Sequence, residues 1–238
     1  PLSSPPFVFS SPAAFFRRVG HKILFPFIME SHKKSLDGVV GGNQEALKIL
    51  EDLGVKAPMK FIFWGVDLSL FFPKNRDECR AKFGIPKDIK LIGYFGKIIK
   101  EKGLENLVRA VSQLEGYKLL LVGNGKYEEK IKKLIVDLKI QDRIYFYNSV
   151  KLADLVDYYN CLDTYVLPTY TAPNCKEQYG RVLIEAMACH LAIVGSTCGA
   201  IPTVLEDYPM HLIFDENSLT DLIDKIRKVE NLSLPENF

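Results

Sequence analysis

Residues 91–103, Leu-Ile-Gly-Tyr-Phe-Gly-Lys-Ile-Ile-Lys-Glu-Lys-Gly, run from an apolar segment into a basic loop that contains glycine. The first five residues predict a buried strand, and Gly96 allows the backbone to turn at the strand end without a clash from a Cβ atom. The next segment, 104–114, has apolar residues at helical spacing, at positions 104, 107, 108, 111 and 114. A strand, a loop and a helix in this order predict the first unit of an α/β domain with a parallel sheet.

The same alternation of short apolar runs and amphipathic segments continues towards the end of the chain. Further strands are predicted at 118–122, 143–147, 164–167, 192–195 and 210–214, and helices at 127–138, 152–159 and 219–229, with a short segment at 202–205. Right-handed crossovers between parallel strands then give a doubly wound, Rossmann-like sheet. Such a sheet binds its ligand in a crevice at the carboxyl ends of the strands.

The first part of the chain has a different organisation. Strands are predicted at 38–42 and 60–63, around a helix at 44–53 that Asn43 caps, and the later part of 12–35 is predicted to be helical. Two βα units do not bury both faces of a sheet. We therefore expect residues 1–72 to be a partial N-terminal α/β domain with a linker, and residues 73–238 to form the Rossmann-like domain.

Composition narrows the class of protein. The chain has 238 residues, of which 47% are hydrophobic and 25% charged, as in an ordinary globular protein. A net charge of +2 argues against nucleic acid as a partner, and no apolar run approaches the length that spans a bilayer. The five cysteines have no C-x-x-C pairing, which favours reduced thiols and a cytoplasmic location.

A pair of carboxylates marks the candidate site. Residues 177–185 have the sequence Glu-Gln-Tyr-Gly-Arg-Val-Leu-Ile-Glu, in which seven residues separate Glu177 from Glu185 at the point where a loop becomes a helix. The free N–H groups at Tyr179 and Gly180 favour an anion at the start of that helix. Glu177 precedes the helix and Glu185 lies within it, so the two carboxylates are expected to face different parts of one elongated ligand.

Together with segments 193–196 and 199–202, this pattern resembles the donor-binding motif of the retaining, GT-B-fold glycosyltransferases known as the group 1 family. The run from Gly42 to Ala46 and then to Asp67 is similar to the end of the N-terminal domain in that family, and the similarity extends over about residues 36–217. The resemblance implies that residues 1–72 belong to the acceptor side and residues 73–238 bind a nucleotide-sugar donor. The chain resembles a fragment lacking both ends of a two-domain enzyme, and we expect it to be inactive in isolation.

The resemblance also implies roles for individual residues. Lys97 and Lys102 are expected to bind the diphosphate leaving group, and Glu177 the donor sugar, as catalytic residues. The remaining donor contacts are expected from Gly96 in the loop, from Ser149 and Val150 at the nucleobase, from backbone N–H groups of Gln178, Tyr179, Gly180 and Arg181, and from Glu185 at the two ribose hydroxyls. No metal and no cofactor other than the donor are expected, because the two lysines take the place of a cation.

Three positions depart from the family pattern. Lys97 stands where the family usually has arginine, Asn148 where it has glycine, and Thr203 where it has glutamate. A lysine supplies charge without the paired hydrogen bonds of a guanidinium. The alternative to a binding site is that the basic loop is a solvated surface loop, that Glu177 is an acid at a helix start, and that Glu185 is a surface residue.

The function implied is transfer of a sugar from a nucleoside diphosphate sugar to an acceptor hydroxyl, with retention of configuration. The acceptor is a glycan, a lipid or a small molecule, and the N-terminal domain is expected to give peripheral association with the cytoplasmic face of a membrane. A nucleotide-sugar epimerase and a glycosyl phosphorylase share the fold, but a phosphorylase needs a pyridoxal-phosphate lysine for which the chain offers no convincing candidate. The alternative outside enzymes is a nucleotide-sugar-binding module or inactive subunit.

Overall fold

A computed structural model describes residues 36–62, 64–173 and 175–235 of the protein. The chain divides into two compact units, one that ends at Trp64 and a second that begins at Gly65. The helix predicted within 12–35 lies outside the described residues, and so does Phe63 at the end of the second predicted strand.

The first unit contains one parallel βαβ arrangement. Strand β1 (Val39–Gly41) pairs in parallel with β2 (Met59–Phe61), and helix α1 (Gln44–Asp52) connects them. The Oδ1 atom of Asn43 accepts a hydrogen bond from the N–H of Ala46 at 2.7 Å. The predicted N-cap is therefore confirmed.

The second unit is a six-stranded sheet with helices between its strands. Its strands are β3 (Lys90–Phe95), β4 (Tyr117–Val122), β5 (Ile144–Tyr147), β6 (Thr164–Leu167), β7 (Ala192–Ser196) and β8 (His211–Phe214). Its helices are α2 (Arg76–Lys82), α3 (Leu104–Gln113), α4 (Glu128–Asp137), α5 (Leu152–Asn160), α6 (Arg181–Ala188), α7 (Ile201–Leu205) and α8 (Leu219–Val229).

The order of the strands across this sheet is β5-β4-β3-β6-β7-β8, and every pair is parallel. The chain starts in the middle with β3, builds outward to β5, and returns to the middle with β6 before building outward on the other side. This is the Rossmann order, and its direction reverses between β3 and β6. The predicted doubly wound parallel sheet is confirmed.

Apolar burial explains why the sheet forms. Strands β3 and β4 are buried along nearly their whole length, as expected for parallel strands covered on both faces. Helix α3 buries the apolar stripe that the sequence predicted, and it packs against α4 and α8, while α2 packs against α5. Within this unit the predicted strand and helix ends differ from the observed ones by at most one residue, which is the normal uncertainty of element ends.

The short segment predicted near Pro202 forms helix α7, with the proline in its first turn. In the described part of the chain, no helix combines the length and the apolar character needed to cross a membrane.

Candidate functional site

The loops that follow β3 and β6 meet at the point where the strand order reverses. The N–H of Tyr170 donates to the carbonyl oxygen of Glu101 at 3.0 Å. Gly103 has a φ of +69°, and a Cβ atom at this position would lie 1.9 Å from the carbonyl oxygen of Pro168. Only glycine allows the two loops to approach so closely.

Lys102 and Glu177 form an ion pair across these two loops. Their side chains are 22% and 12% exposed, so water screens the pair only partly. Thr169 Oγ1 donates to the same carboxylate oxygen, Oε2, at 3.2 Å. The structure thus joins two of the three predicted catalytic residues in direct contact.

The other carboxylate oxygen of Glu177, Oε1, accepts no hydrogen bond from the described residues. No buried side-chain oxygen or nitrogen in that part of the chain lacks a partner, so Oε1 is accessible at the surface. One oxygen of Glu177 is therefore held by the protein, and the other is available to a ligand hydroxyl.

The loop after β7 holds the backbone of Glu177. The N–H of Ala200 donates to the carbonyl oxygen of Glu177 at 2.9 Å, and the N–H of Glu177 donates to Cys198 Sγ at 3.5 Å. Between these residues, Gly199 has a φ of +58°, and a Cβ atom there would lie 2.2 Å from the same carbonyl oxygen. Both backbone polar groups of Glu177 are thus bonded to one short segment.

Glu185 has a different environment, on helix α6. Leu183 and Ala186 are buried and anchor the helix, and the fully buried Tyr159 donates its hydroxyl to Glu185 Oε2 at 2.7 Å. Burial raises the pKa of the Glu185 carboxyl, and the hydrogen bond from Tyr159 and the charge of Arg181 oppose that rise. Oε1 of Glu185 accepts no hydrogen bond from the described residues and is likewise accessible.

Lys97 lies on the loop after β3, five residues before Lys102, and is exposed. Its backbone is fixed by the hydroxyl of Tyr94, which donates to the Lys97 carbonyl oxygen at 2.8 Å. Its Nζ atom has no ion-pair or hydrogen-bond partner among the described residues. Among the described residues, none contacts both Lys97 and Lys102, and their joint binding of a diphosphate stays a prediction.

The other predicted donor contacts lie at the same edge of the sheet. Ser149 and Val150 follow β5, where Asn124 Nδ2 donates to the carbonyl oxygen of Asn148 at 3.1 Å and joins the loops after β4 and β5. Ser149 is exposed, and Val150 packs partly against the core. Gln178, Tyr179 and Gly180 connect Glu177 directly to the start of α6 at Arg181, and Gly96 begins the loop after β3.

Sequence reasoning missed three residues that contact the two glutamates, namely Tyr159, Thr169 and Cys198. It also missed Thr171, which contacts Cys198, and Glu216, which contacts Thr171. Thr169 and Glu216 each lie two residues beyond a strand end, and a polar residue at that place in a parallel sheet is a usable signal. Tyr159 carries no such signal, because it lies within helix α5.

The family described as "Glycosyl transferases group 1" matches residues 75–238. The chain belongs to this family. It is 31% identical over 170 residues to the D-inositol 3-phosphate glycosyltransferase of Mycolicibacterium smegmatis, an alignment that covers 69% of this chain and 38% of that protein. The chain thus aligns with well under half the length of this relative. The family match begins at residue 75, so the similarity predicted for residues 36–74 stays a prediction.

Solved structures share the fold. Sucrose-phosphate synthase from Thermosynechococcus elongatus superimposes with a TM-score of 0.73 at 24% identity, over 91% of this chain and 55% of that one. HepE from Anabaena, solved in complex with UDP, superimposes with a TM-score of 0.74 at 22% identity, over 84% of this chain and 56% of that one. The predicted GT-B fold of the group 1 glycosyl transferases is confirmed.

Proposed function

We propose that the protein transfers a sugar from a nucleoside diphosphate sugar to an acceptor hydroxyl, with retention of configuration. The observation that carries this proposal is the Lys102–Glu177 ion pair at the β3–β6 switch point. That place is where an open parallel sheet binds its ligand. A cation and a carboxylate side by side suit a donor that has an anionic leaving group and a hydroxyl-bearing sugar.

The Lys102 ammonium would stabilise the diphosphate as the bond between the sugar and its oxygen breaks. A preorganised cation in a partly water-excluded site stabilises developing negative charge more strongly than a solvated one. Lys97 would bind the same diphosphate from the exposed side of the loop, and the two lysines would serve without a metal. Glu177 Oε1 would accept hydrogen bonds from the sugar hydroxyls and stabilise positive charge at the reacting carbon.

The rest of the donor would lie along α6 and the carboxyl ends of β4 and β5. Glu185 Oε1 would accept from the ribose hydroxyls, since Oε2 is already held by Tyr159. The N–H groups from Gln178 to Arg181 would bind the sugar and phosphates, and backbone groups at Ser149 and Val150 the nucleobase. The structural neighbour HepE was solved with UDP, which makes UDP the first nucleotide to test.

The acceptor would be a small molecule, a glycan or a lipid, and relatives named D-inositol 3-phosphate glycosyltransferase suggest a polar hydroxyl acceptor. Because the chain aligns with 38% of that relative, we expect the 238 residues alone to bind the donor without transferring its sugar. We also propose a cytoplasmic location, with residues 1–72 giving peripheral association with the membrane.

The second candidate is a nucleotide-sugar-binding subunit without transferase activity. Two features favour it. Lys97 replaces an arginine and has no partner among the described residues, and Thr203 in α7 replaces a glutamate. Transfer by a longer form of the protein that includes this chain would eliminate this candidate.

The test of the donor site uses calorimetry with UDP, GDP and ADP and with the corresponding nucleosides. Lys102→Ala should weaken binding of the preferred diphosphate by about 10- to 100-fold, as expected for lost hydrogen bonds to a charged group, and leave the nucleoside unaffected. Lys100→Ala is the matched control, because Lys100 is an exposed lysine on the same loop. Equal losses in the two variants, or an equal loss for nucleoside and diphosphate, would contradict the proposal.

A further inference from the structure

A row of four polar groups connects Glu177 to a carboxylate on another loop. The Glu177 N–H lies 3.5 Å from Cys198 Sγ, which lies 3.6 Å from Thr171 Oγ1. Thr171 Oγ1 lies 2.9 Å from Glu216 Oε1, and the N–H of Thr171 donates to Glu216 Oε2. The row crosses the three loops that follow β6, β7 and β8.

Cys198 Sγ accepts hydrogen bonds from its two neighbours in the row. It accepts from the N–H of Glu177 and from the hydroxyl of Thr171. The Thr171 hydroxyl has one hydrogen, which it shares between Cys198 Sγ and Glu216 Oε1. Burial raises the pKa of the Cys198 thiol, and the hydrogen bonds from Glu177 and Thr171 oppose that rise.

The row is thus a continuous hydrogen-bond chain whose two middle groups are Cys198 Sγ and Thr171 Oγ1. It begins at the Glu177 N–H and ends on the Glu216 carboxylate. Two of its members are fixed further, because the Cys198 N–H donates to Ser196 Oγ at 3.3 Å and the Glu216 N–H donates to Thr197 Oγ1 at 3.2 Å.

We propose that Cys198 is a positioning residue for Glu177, through a hydrogen-bond chain that Thr171 completes and Glu216 anchors. The role of Glu177 itself rests on the proposed function. Cys198 is fully buried, so it acts through Glu177 and does not reach the donor. The position requires a side chain that accepts hydrogen bonds, which a thiol or a hydroxyl does and a methyl group does not.

Hydrogen exchange of the Glu177 amide, followed by NMR, tests the hydrogen-bond chain without any ligand. Cys198→Ala should speed this exchange by about three- to tenfold relative to the wild-type protein, the effect of one lost hydrogen bond, and Cys198→Ser should restore the slow rate. Thr171→Val is the second variant, since it removes the hydroxyl at an exposed site and preserves the side-chain shape. An unchanged Glu177 rate in Cys198→Ala would overturn the proposed chain.

Calorimetry with UDP-glucose and UDP tests the positioning role. Cys198→Ala and Thr171→Val should weaken UDP-glucose by about three- to tenfold more than UDP, because Glu177 faces the sugar, and Cys198→Ser should behave as wild type. An equal loss for both ligands would show a structural effect and overturn the role. If the wild-type protein binds none of UDP-glucose, GDP-mannose and ADP-glucose, the proposed function fails together with the positioning role of Cys198. The exchange rates alone still decide whether the hydrogen-bond chain exists.

Discussion

Glu177 and Glu185 are separated by only seven residues in the sequence, yet their backbone settings and their hydrogen-bond partners differ. Glu177 lies in a loop, contacts Lys102, and has its backbone bonded to the loop after β7. Glu185 lies on helix α6, has a neutral tyrosine as its hydrogen-bond donor, and is partly withdrawn from water.

The difference shows two ways of presenting one carboxylate oxygen to a ligand. At Glu177 a cation and a hydroxyl hold Oε2, and segments that are distant in sequence fix the backbone. At Glu185 the helix fixes the backbone, and one buried hydroxyl holds Oε2. The arrangement at Glu177 suits a carboxylate that stabilises charge on a ligand. The arrangement at Glu185 suits a carboxylate that accepts hydrogen bonds from a ligand in a fixed direction.

The largest effect on stability is expected at Gly103, next to the Lys102–Glu177 ion pair, where the two loops leave no room for a Cβ atom. Gly103→Ala should destabilise the protein by about 1–3 kcal/mol more than Gly116→Ala in urea unfolding. Both glycines have a positive φ, so both substitutions strain the backbone, but a Cβ atom meets the Pro168 carbonyl at Gly103 and only open space at Gly116. Equal destabilisation would mean that the two loops adjust easily. The difference between the loop that holds Glu177 and helix α6 that holds Glu185 would then be lost.

A smaller effect is expected at Glu185, and it depends on pH. Between the ordinary carboxyl pKa and the raised pKa of Glu185, the folded state holds a proton that the unfolded state has released, so the stability contributed by this group falls as the pH rises through that window. Glu185→Gln avoids the loss. Its Tm should exceed the wild-type Tm at pH 7.5 and match it near pH 4, because at the lower pH the carboxyl of Glu185 is protonated in both the folded and the unfolded state.

The control for this pH effect is Glu206→Gln, which removes the same charge from an exposed glutamate. Melting curves of the three proteins at pH 4, 5.5 and 7.5 give the comparison. A Glu206→Gln curve that follows Glu185→Gln would show that net charge, and not burial against Tyr159, causes the difference.

Local features of this molecule could be predicted from its sequence. The apolar spacing along 104–114 predicted the buried stripe of α3, and Asn43 predicted the N-cap of α1. Both features depend on residues that lie one or two turns apart. The position of Glu177 before a helix and of Glu185 within it also followed from local pattern. The alternation of strands and helices sufficed for the Rossmann order, since handedness and short connections leave few alternatives.

The partners of the two glutamates could not be predicted in the same way. Lys102 meets Glu177 across 75 residues, and Tyr159 meets Glu185 across 26. These contacts depend on which strands become neighbours and on how the loops then pack, and neither is encoded in local spacing. The expectation that Lys102 faces a diphosphate did not anticipate that a carboxylate would be its partner within the protein.

Calorimetric titration of UDP-glucose and UDP into Glu177→Gln and Glu185→Ala tests most directly whether the two glutamates bind different parts of one nucleotide sugar. We expect Glu177→Gln to reduce the affinity for UDP-glucose to near that for UDP, with UDP binding largely retained. We expect Glu185→Ala to weaken both ligands by the same factor, about 5- to 100-fold, because both contain the ribose. If the two variants weaken both ligands to the same extent, the division of the donor between Glu177 and Glu185 is wrong.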